Sequence, residues 1–295
     1  MRRLLPFAAT LAAFTAVCLL PAARAESESA GVRLVKTSPP APSAQRVLLR
    51  YRMAEGETIR TEVTHLAKTL TKVDDAEQGS QSRTVSTKCW KVLAVDGDGN
   101  MTFEHSVRNI DASQQVGDKD EVRYNSGGGE VPRQFESVHS QVDQVISTVT
   151  IQPSGEVVSR SDEEKYGMLA MGDIAICFPS ESVAVGQQWE TTREIQVRRP
   201  DKTPARMKIR ELFTLEKVSA DVAVIDVKNE CLTPIREPEI EAQVMQQMNN
   251  GKIRFDVAAG RLISKEILWD STVIGVSGSG SRLEYSARLS EELLD

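Results

Sequence analysis

The stretch Lys88–Val107, "KCWKVLAVDGDGNMTFEHSV", admits two readings, and they lead to different proteins. Asp96, Asp98 and Asn100 place oxygen side chains at alternate positions, as the opening of a helix-loop-helix calcium site does. Such a loop needs glycine at its sixth position and a bidentate acid at its twelfth. Counted from Asp96, those positions hold Met101 and Val107. The flanks also alternate with a period of two, which is a strand pattern. A β-hairpin with a two-residue turn at Gly97-Asp98 or Asp98-Gly99 explains more, because Asp-Gly tolerates the positive φ angles of the primed turns. Either turn places Trp90, Val92 and Ala94 on the face of Met101, Phe103, His105 and Val107, with Lys91 beside Glu104 on the other. A slip of one residue would invert every side chain, so the even loop is the consistent choice.

The same alternation extends outward. In "TIRTEVTHLAKTLTKV" (Thr58–Val73), Ile59, Val63, Ala67 and Val73 share one face, and Arg60, Glu62, Lys68 and Lys72 the other. In "RLEYSARLS", Leu283, Tyr285, Ala287 and Leu289 oppose Arg282, Glu284, Ser286 and Arg288. Strands with one wet face belong to antiparallel sheets. The expected class is α+β and mainly β: one or more large curved antiparallel sheets, as a duplicated half-barrel, with a few covering helices. Three segments carry helical spacing. "PRQFESVHSQVDQVIS" spaces Phe135, Val138, Val142, Val145 and Ile146 for a helix, with Pro132 suited to its first turn. "SDEEKYGMLAM" opens with Ser161 and Glu164 in capping-box positions. "EPEIEAQVMQQMNNG" aligns Ile240, Val244 and Met248 between Pro238 and Asn249-Asn250-Gly251.

The order of elements runs twice. "EGETIRTE", a strand pair, a helix and "VTIQPSGEVVSR" are followed by "VGQQWETTRE", a strand pair, a helix and "IRFDVAAGRLISKE". The expected organisation is a signal peptide at 1–25, a Pro/Ser-rich unstructured leader at 26–45, and β-rich repeats at 46–178 and 179–295, which can form one continuous domain.

The leader carries the address. Met1-Arg2-Arg3 is basic, "LLPFAATLAAFTAVCLL" is apolar, and Ala23-Arg24-Ala25 is a small-x-small cleavage site. The expected location is periplasmic or extracellular. Cys18 lacks the leucine that precedes a lipoprotein cysteine, and apolar residues continue after it, so a cleaved signal is preferred to a lipid anchor. Cleavage removes Arg2, Arg3 and Arg24 and no acid, taking the formal charge from −6 to −9. An acidic chain without a basic run is a poor partner for nucleic acid, and no transmembrane helix is expected in the mature chain. Arg193, Arg198, Arg199 and Lys202 form the nearest thing to a basic patch and suit a solvated strand face. Cys89, Cys177 and Cys231 survive cleavage; an odd number leaves at least one thiol unpaired, and spacing leaves open whether any two bridge.

Reactive constellations are absent from the sequence. His65, His105 and His139 lie in three different elements, with no metal-binding spacing. His105 reads as a core-edge histidine and His139 as solvent-facing. "GVSGSGSR" (Gly275–Arg282) fails the G-x-S-x-G elbow, since Ser279 stands where the second glycine belongs. "DEEK" (Asp162–Lys165) is the acidic first turn of a helix, and "NSGGGE" (Asn125–Glu130) a loop insertion. Expected catalytic residues, metal and cofactor are none. Met168, Met171, Met245 and Met248 suit either a core or an adaptable apolar site.

"YRMAEGETIRTEV", "VDGDGNMTFEHSV", "VTIQPSGEVVSR" and "FPSESVAVGQQWE" resemble a family of exported bacterial proteins of unknown function. The order of elements also resembles periplasmic lipoprotein carriers of the LolA kind. That resemblance implies a half-open barrel whose helices plug an apolar cavity. Three functional readings stand: a non-catalytic module holding a lipid, acyl chain or lipoprotein between sheet and helices; a structural or interaction protein of the cell envelope; and a hydrolase-type enzyme whose site forms only in space. The third would require His65 or His105 to meet Cys89 or Cys231 at an open cleft. Oligomeric state is not legible.

Overall fold

The computed structural model describes residues 30–35, 46–162 and 175–295. Among the described residues, fifteen strands and two short helices follow one another: β1 (Ala30–Leu34), β2 (Arg46–Val47), β3 (Thr58–Val73), β4 (Ala76–Val95), β5 (Met101–Val116), β6 (Val122–Asn125), α1 (Glu136–His139), β7 (Val145–Ile151), β8 (Val157–Asp162), β9 (Val183–Ala184), β10 (Gln188–Arg198), β11 (Pro204–Ser219), β12 (Val222–Cys231), α2 (Pro238–Val244), β13 (Asn250–Asp256), β14 (Arg261–Ile274) and β15 (Ser281–Leu293). Thirteen of the strands form one sheet in the order β1-β10-β11-β12-β13-β14-β15-β3-β4-β5-β7-β8, with β6 beside β5. Every pairing in it is antiparallel. The sheet does not close into a barrel.

β3 shows why this sequence makes this sheet. Its odd positions, from Ile59 to Val73, are sheltered, and most even ones face water. It pairs along its length with β4 on one side and β15 on the other. Side chains of β4, β5 and β7 meet those of β10 to β14 in a single core, so the sheet rolls over its apolar face. Two extended segments fill the roll. Leu49 and Tyr51 come from the first; Ile176, Phe178 and Val183 come from the second. Tyr51 stacks on Phe178 at 5.4 Å and meets Phe255 edge-on at 5.3 Å. The Tyr51 hydroxyl accepts the Ile176 N–H at 3.0 Å, and burial pushes its pKa up. The Trp189 indole donates to the Cys177 carbonyl at 3.0 Å. Each fully buried aromatic of this kind contributes roughly 2–3 kcal/mol by burial alone.

Two glycines let the filling segments approach the sheet's turns. Gly155, at φ +87°, lies where a Cβ would stand 2.2 Å from the Ile176 carbonyl oxygen; Gly260, at φ +68°, lies where one would stand 2.7 Å from the Arg52 backbone. The Tyr51 N–H donates to Pro153 and the Arg52 N–H to Gly260 itself. At the other end of the roll the helices take over. Phe135 and Val138 cover Val107, Ile110 and Tyr124, while Ile240 and Val244 cover Ile195, Met207 and Ile209.

Several expectations need correction. The hairpin faces hold, since Trp90 pairs with His105, Val92 with Phe103 and Lys91 with Glu104. The turn, however, spans five residues, closed by the Asp96 N–H on the Asn100 carbonyl. An irregularity between Val92 and Ala94 restores parity, so Val95 instead of Ala94 shares the face of Met101. The helix at Pro132 is short: a 3-10 turn (Arg133–Phe135) leads into α1, and Val145 and Ile146 lie in β7. The β-branched run from Val145 to Ile151 finds β5, and pairing overrides helical spacing. Ser161 lies in β8, and its hydroxyl accepts the Thr148 N–H. The remainder of that expected helix, with Met168 and Met171, falls outside the described residues. Residues 30–34, read as part of the leader, form β1 against β10. The signal peptide also lies outside the described residues.

Replacing Gly155 by alanine is expected to lower unfolding free energy by about 3 kcal/mol, since it combines backbone strain with a clash. Gly56, at φ +80° with open space around it, should cost only about 1 kcal/mol on the same change. Denaturant midpoints of the two variants test the difference.

Candidate functional site

Asp96 organises the turn after β4. One carboxylate oxygen accepts the N–H groups of Asp98 and Asn100, both at 2.9 Å, and the other accepts the Asn100 side-chain amide at 2.8 Å. These bonds, that of the Asn100 amide first, hold its pKa below the usual carboxylate value. The carboxylate is therefore engaged in organising the turn.

The histidines and cysteines stay apart. Cys89 pairs across the sheet with Ser106 and Arg60, while its neighbour Trp90 pairs with His105. Alternation thus sends the thiol and the imidazole to opposite faces. Cys231 packs under α2 and donates to the Thr233 carbonyl at 3.2 Å. Burial pushes the thiols of Cys89 and Cys231 up, against nucleophilic reactivity. Cys89, Cys177 and Cys231 are not bridged to one another. His65 meets Trp269 edge-on at 6.3 Å. His139 is exposed and shares a hydrogen bond with the Tyr124 hydroxyl at 2.9 Å.

What sequence reading missed is a polar cluster inside the roll. Thr61 and Lys88 are cross-strand partners on β3 and β4, and Glu291 sits on β15. Glu291 forms an ion pair with Lys88 and accepts the Thr61 hydroxyl at 2.9 Å. Its side chain is only 6% exposed. Lys265 lies opposite Glu291 on β14. Burial pulls the Glu291 carboxyl up, but the charges of Lys88 and Lys265 and the two hydrogen bonds outweigh it, and the net shift is downward. Burial lowers the Lys88 ammonium, with Glu291 opposing. Lys88 also lies 5.0 Å above the Trp90 ring, a cation–π contact. The clue in the sequence was polar residues at inward positions of alternating strands: Thr61 in phase with Ile59, Lys88 with Trp90, Glu291 with Leu289.

Beside this cluster the roll leaves a cleft of about 350 Å³, part of it open to solvent. Tyr51, Met53, Ile59 and Leu262 make an apolar wall; Trp90, Lys88, Thr61, Glu291 and Arg261 supply the polar atoms. Arg261 reaches Glu57 at 2.9 Å through a terminal nitrogen, yet its Nε and the Trp90 indole Nε1 are buried with no acceptor. A second space of about 270 Å³ lies between Ile176, Phe213, Lys265 and Ile267.

His105 continues the cluster as a fully buried residue, deeper than a core-edge position. Its register partners are Trp90 and Ser147. Neither imidazole nitrogen, nor the Ser147 hydroxyl, has a hydrogen-bond partner. Burial, then the charges of Lys88 and Arg160, push its pKa down to about 4, so the ring is neutral at neutral pH.

No protein-family model matches the chain, and no curated protein does. Among solved structures, a lipovitellin, described under lipid–protein interactions in lipovitellin, is similar at TM-score 0.45 and 9% identity. The match covers 82% of this chain, which spans 25% of the lipovitellin chain. OccK7 (OpdD) of Pseudomonas aeruginosa is similar at TM-score 0.23 and 7% identity, over 81% of this chain and 99% of that one. Likeness at this level carries no argument about function. Among the described residues, no helix is long and apolar enough to cross a membrane.

Two measurements test the cluster. Glu291→Leu leaves Lys88 buried without its counter-charge and should cost about 3–5 kcal/mol. Adding Lys88→Met should recover part of that loss, and a double-mutant cycle in denaturant reads the coupling. For His105 the folded pKa of about 4 lies below the ordinary 6.5, so the unfolded chain binds the extra proton between those values. Stability should therefore rise with pH across that window, by about 3 kcal/mol from this residue. Glu291 adds a loss in the same direction at lower pH, as its depressed carboxyl is protonated. His105→Leu should flatten the slope between pH 4 and 6.5 in denaturation curves.

Proposed function

We propose that this is an exported, non-catalytic binding protein that holds an apolar chain against the inner face of its rolled sheet. The observation that carries this reading is the cleft beside Trp90, whose wall of Tyr51, Met53, Ile59 and Leu262 is apolar and within reach of solvent. An open roll with helices on its inner face suits a carrier of the LolA kind, to which the order of elements bears a resemblance. The basic, apolar and small-residue sections of the leader place it in the periplasm or outside the cell. Its partners on this reading are a lipid or the acyl part of an envelope protein, and the acidic net charge makes nucleic acid a poor partner.

The reading includes the duplication. Strands β15-β3-β4-β5-β7-β8 and β1-β10-β11-β12-β13-β14 follow one another in the sheet. By chain order, β3 to β8 without β6 correspond to β10 to β14, and β15 flanks β3 as β1 flanks β10. Gly155 and Gly260 lie in the corresponding turns, between β7 and β8 and between β13 and β14, and both meet the segment around Tyr51. We take the chain as two such units in one continuous domain.

Expression of the full chain in a bacterial host, followed by recovery from the soluble periplasm and native mass spectrometry, tests this. The expected result is a processed protein carrying an apolar molecule, which it takes up again after delipidation. Absence of any such adduct, together with no uptake of a fluorescent fatty acid, would sink the reading. Crosslinks to envelope proteins without a small ligand would favour the structural alternative.

A further inference from the structure

The outward edge of β10 is covered by two unrelated devices. Near its start β1 lies against it, with Arg33 opposite Glu190 and Leu34 opposite Trp189, and the Val35 N–H donates to the Gln188 carbonyl at 3.0 Å. At its end a side chain takes the place of a strand: the Gln243 amide oxygen accepts the Arg198 N–H at 2.8 Å, and its nitrogen donates to the Arg198 carbonyl at 2.7 Å. Unpaired strand edges are templates for another chain, and native proteins blunt them by such means. The contacts of β1 involve its side chains as well as its backbone. Val32 and Leu34 pack against the core, and Arg33, between them, turns to the other face. Its guanidinium meets Glu190 at 2.5 Å; the Glu190 side chain is 11% exposed and that of Arg33 80%, so the acid is built into the body and the arginine is laid on from outside. Arg210 also reaches Glu190, at 3.6 Å, and pairs with Glu230. Without β1, Glu190 would therefore keep a counter-charge, and the core would lose only two partly buried members.

We propose that the β10 edge is a docking site for an extended segment of apolar–arginine–apolar pattern, and that its partner is the leader of a second copy of this chain. β1 of one molecule exchanges onto β10 of another, its Arg33 on Glu190 and its Val32 and Leu34 against the core. The hold on β1 is slight enough for this. Among the described residues it has a neighbouring strand on one side only, and its register breaks between Ala30 and Arg33. The stretch between β1 and β2, "VKTSPPAPSAQ" (35–45), has no hydrophobic period, and a Pro-rich stretch of that length can span roughly 30 Å. Every contact of the exchanged strand is one that it makes on its own chain, so exchange sacrifices no contact and is set by concentration. It does not depend on ligand binding.

Two variants of the full chain test the exchange, one carrying Ala30→Cys and the other Thr192→Cys, positions that face one another in the docked strand and leave Arg33 and Glu190 in place. The two are mixed at high concentration and treated with oxidised glutathione, and linked dimers are mapped by peptide mass spectrometry. A single chain carrying both changes controls for geometry and should close the link within itself. The expected result is a 30–192 link between chains whose yield rises with concentration. Arg33→Glu in the donor chain should cut that yield about three- to tenfold, and Glu190→Arg in the acceptor should restore it. Thermal melts verify that the variants fold, and Arg33→Glu alone decides if Glu190→Arg does not. A control that links while the mixture gives no 30–192 link would show β1 fixed to its own chain and overturn the exchange. A control that fails to link would overturn the docking site itself, and a link between chains that Arg33→Glu leaves unchanged would overturn the recognition of arginine. Each of these leaves the carrier reading standing.

Discussion

Tyr51 and Phe178 stack in the middle of a sheet that would have no interior without them. A closed barrel hides its inner face by joining first strand to last. Here β1 and β8 end the sheet unjoined, so the apolar sides of the strands must be buried by other means. The roll brings Trp90 and Phe103 from one part of the sheet toward Trp189, Phe213 and Phe255 from another, and two extended segments fill the space between. The filling is specific because it is hydrogen-bonded. Pro153 and Gly260 accept N–H groups of the first segment, Ser154 accepts that of Phe178, and the Tyr51 hydroxyl joins the two segments. Buried backbone in irregular segments is tolerable only when its polar groups are partnered in this way.

Where the filling stops, the interior turns polar. Thr61, Lys88, Glu291 and His105 occupy inward positions that on neighbouring turns of the pattern hold isoleucine, tryptophan or leucine. Ionised groups in such a place cost desolvation, and their mutual attraction offsets it only with good geometry and further hydrogen bonds. Replacement of the cluster by apolar residues would make a simpler core. The cluster lies beside a cleft that reaches solvent.

Much of the architecture was legible because period-two alternation is a local property. The ends of β3 follow from Thr58 to Val73, and the shared face of Trp90 and His105 follows from the alternation of their two strands, with a bulge restoring the phase across a five-residue turn. Errors arose where a local signal met a non-local competitor. Val145 and Ile146 fit a helical stripe, but β5 offered a strand to pair with. Ala94 broke phase because the five-residue loop was compensated by a bulge, which no pattern of hydrophobicity announces. The leader, rich in Pro and Ser, carries no periodic signal of order, yet its residues 30–34 pair with β10, and Val32 and Leu34 pack against the core.

The sequence by itself determined an antiparallel β protein with one dry face per strand, the phase of its long hairpins, the expectation of export, and the absence of any local motif for metal or nucleophilic chemistry. Each rests on neighbours in the chain or on composition. Only the tertiary structure decided which dry faces meet, that two irregular segments fill the roll, and that Thr61, Lys88 and Glu291 come together. Thr61 and Glu291 lie 230 positions apart, and their meeting depends on β15 returning to lie beside β3. Such a contact follows from the pairing of whole strands, which alternation constrains in phase but not in partner.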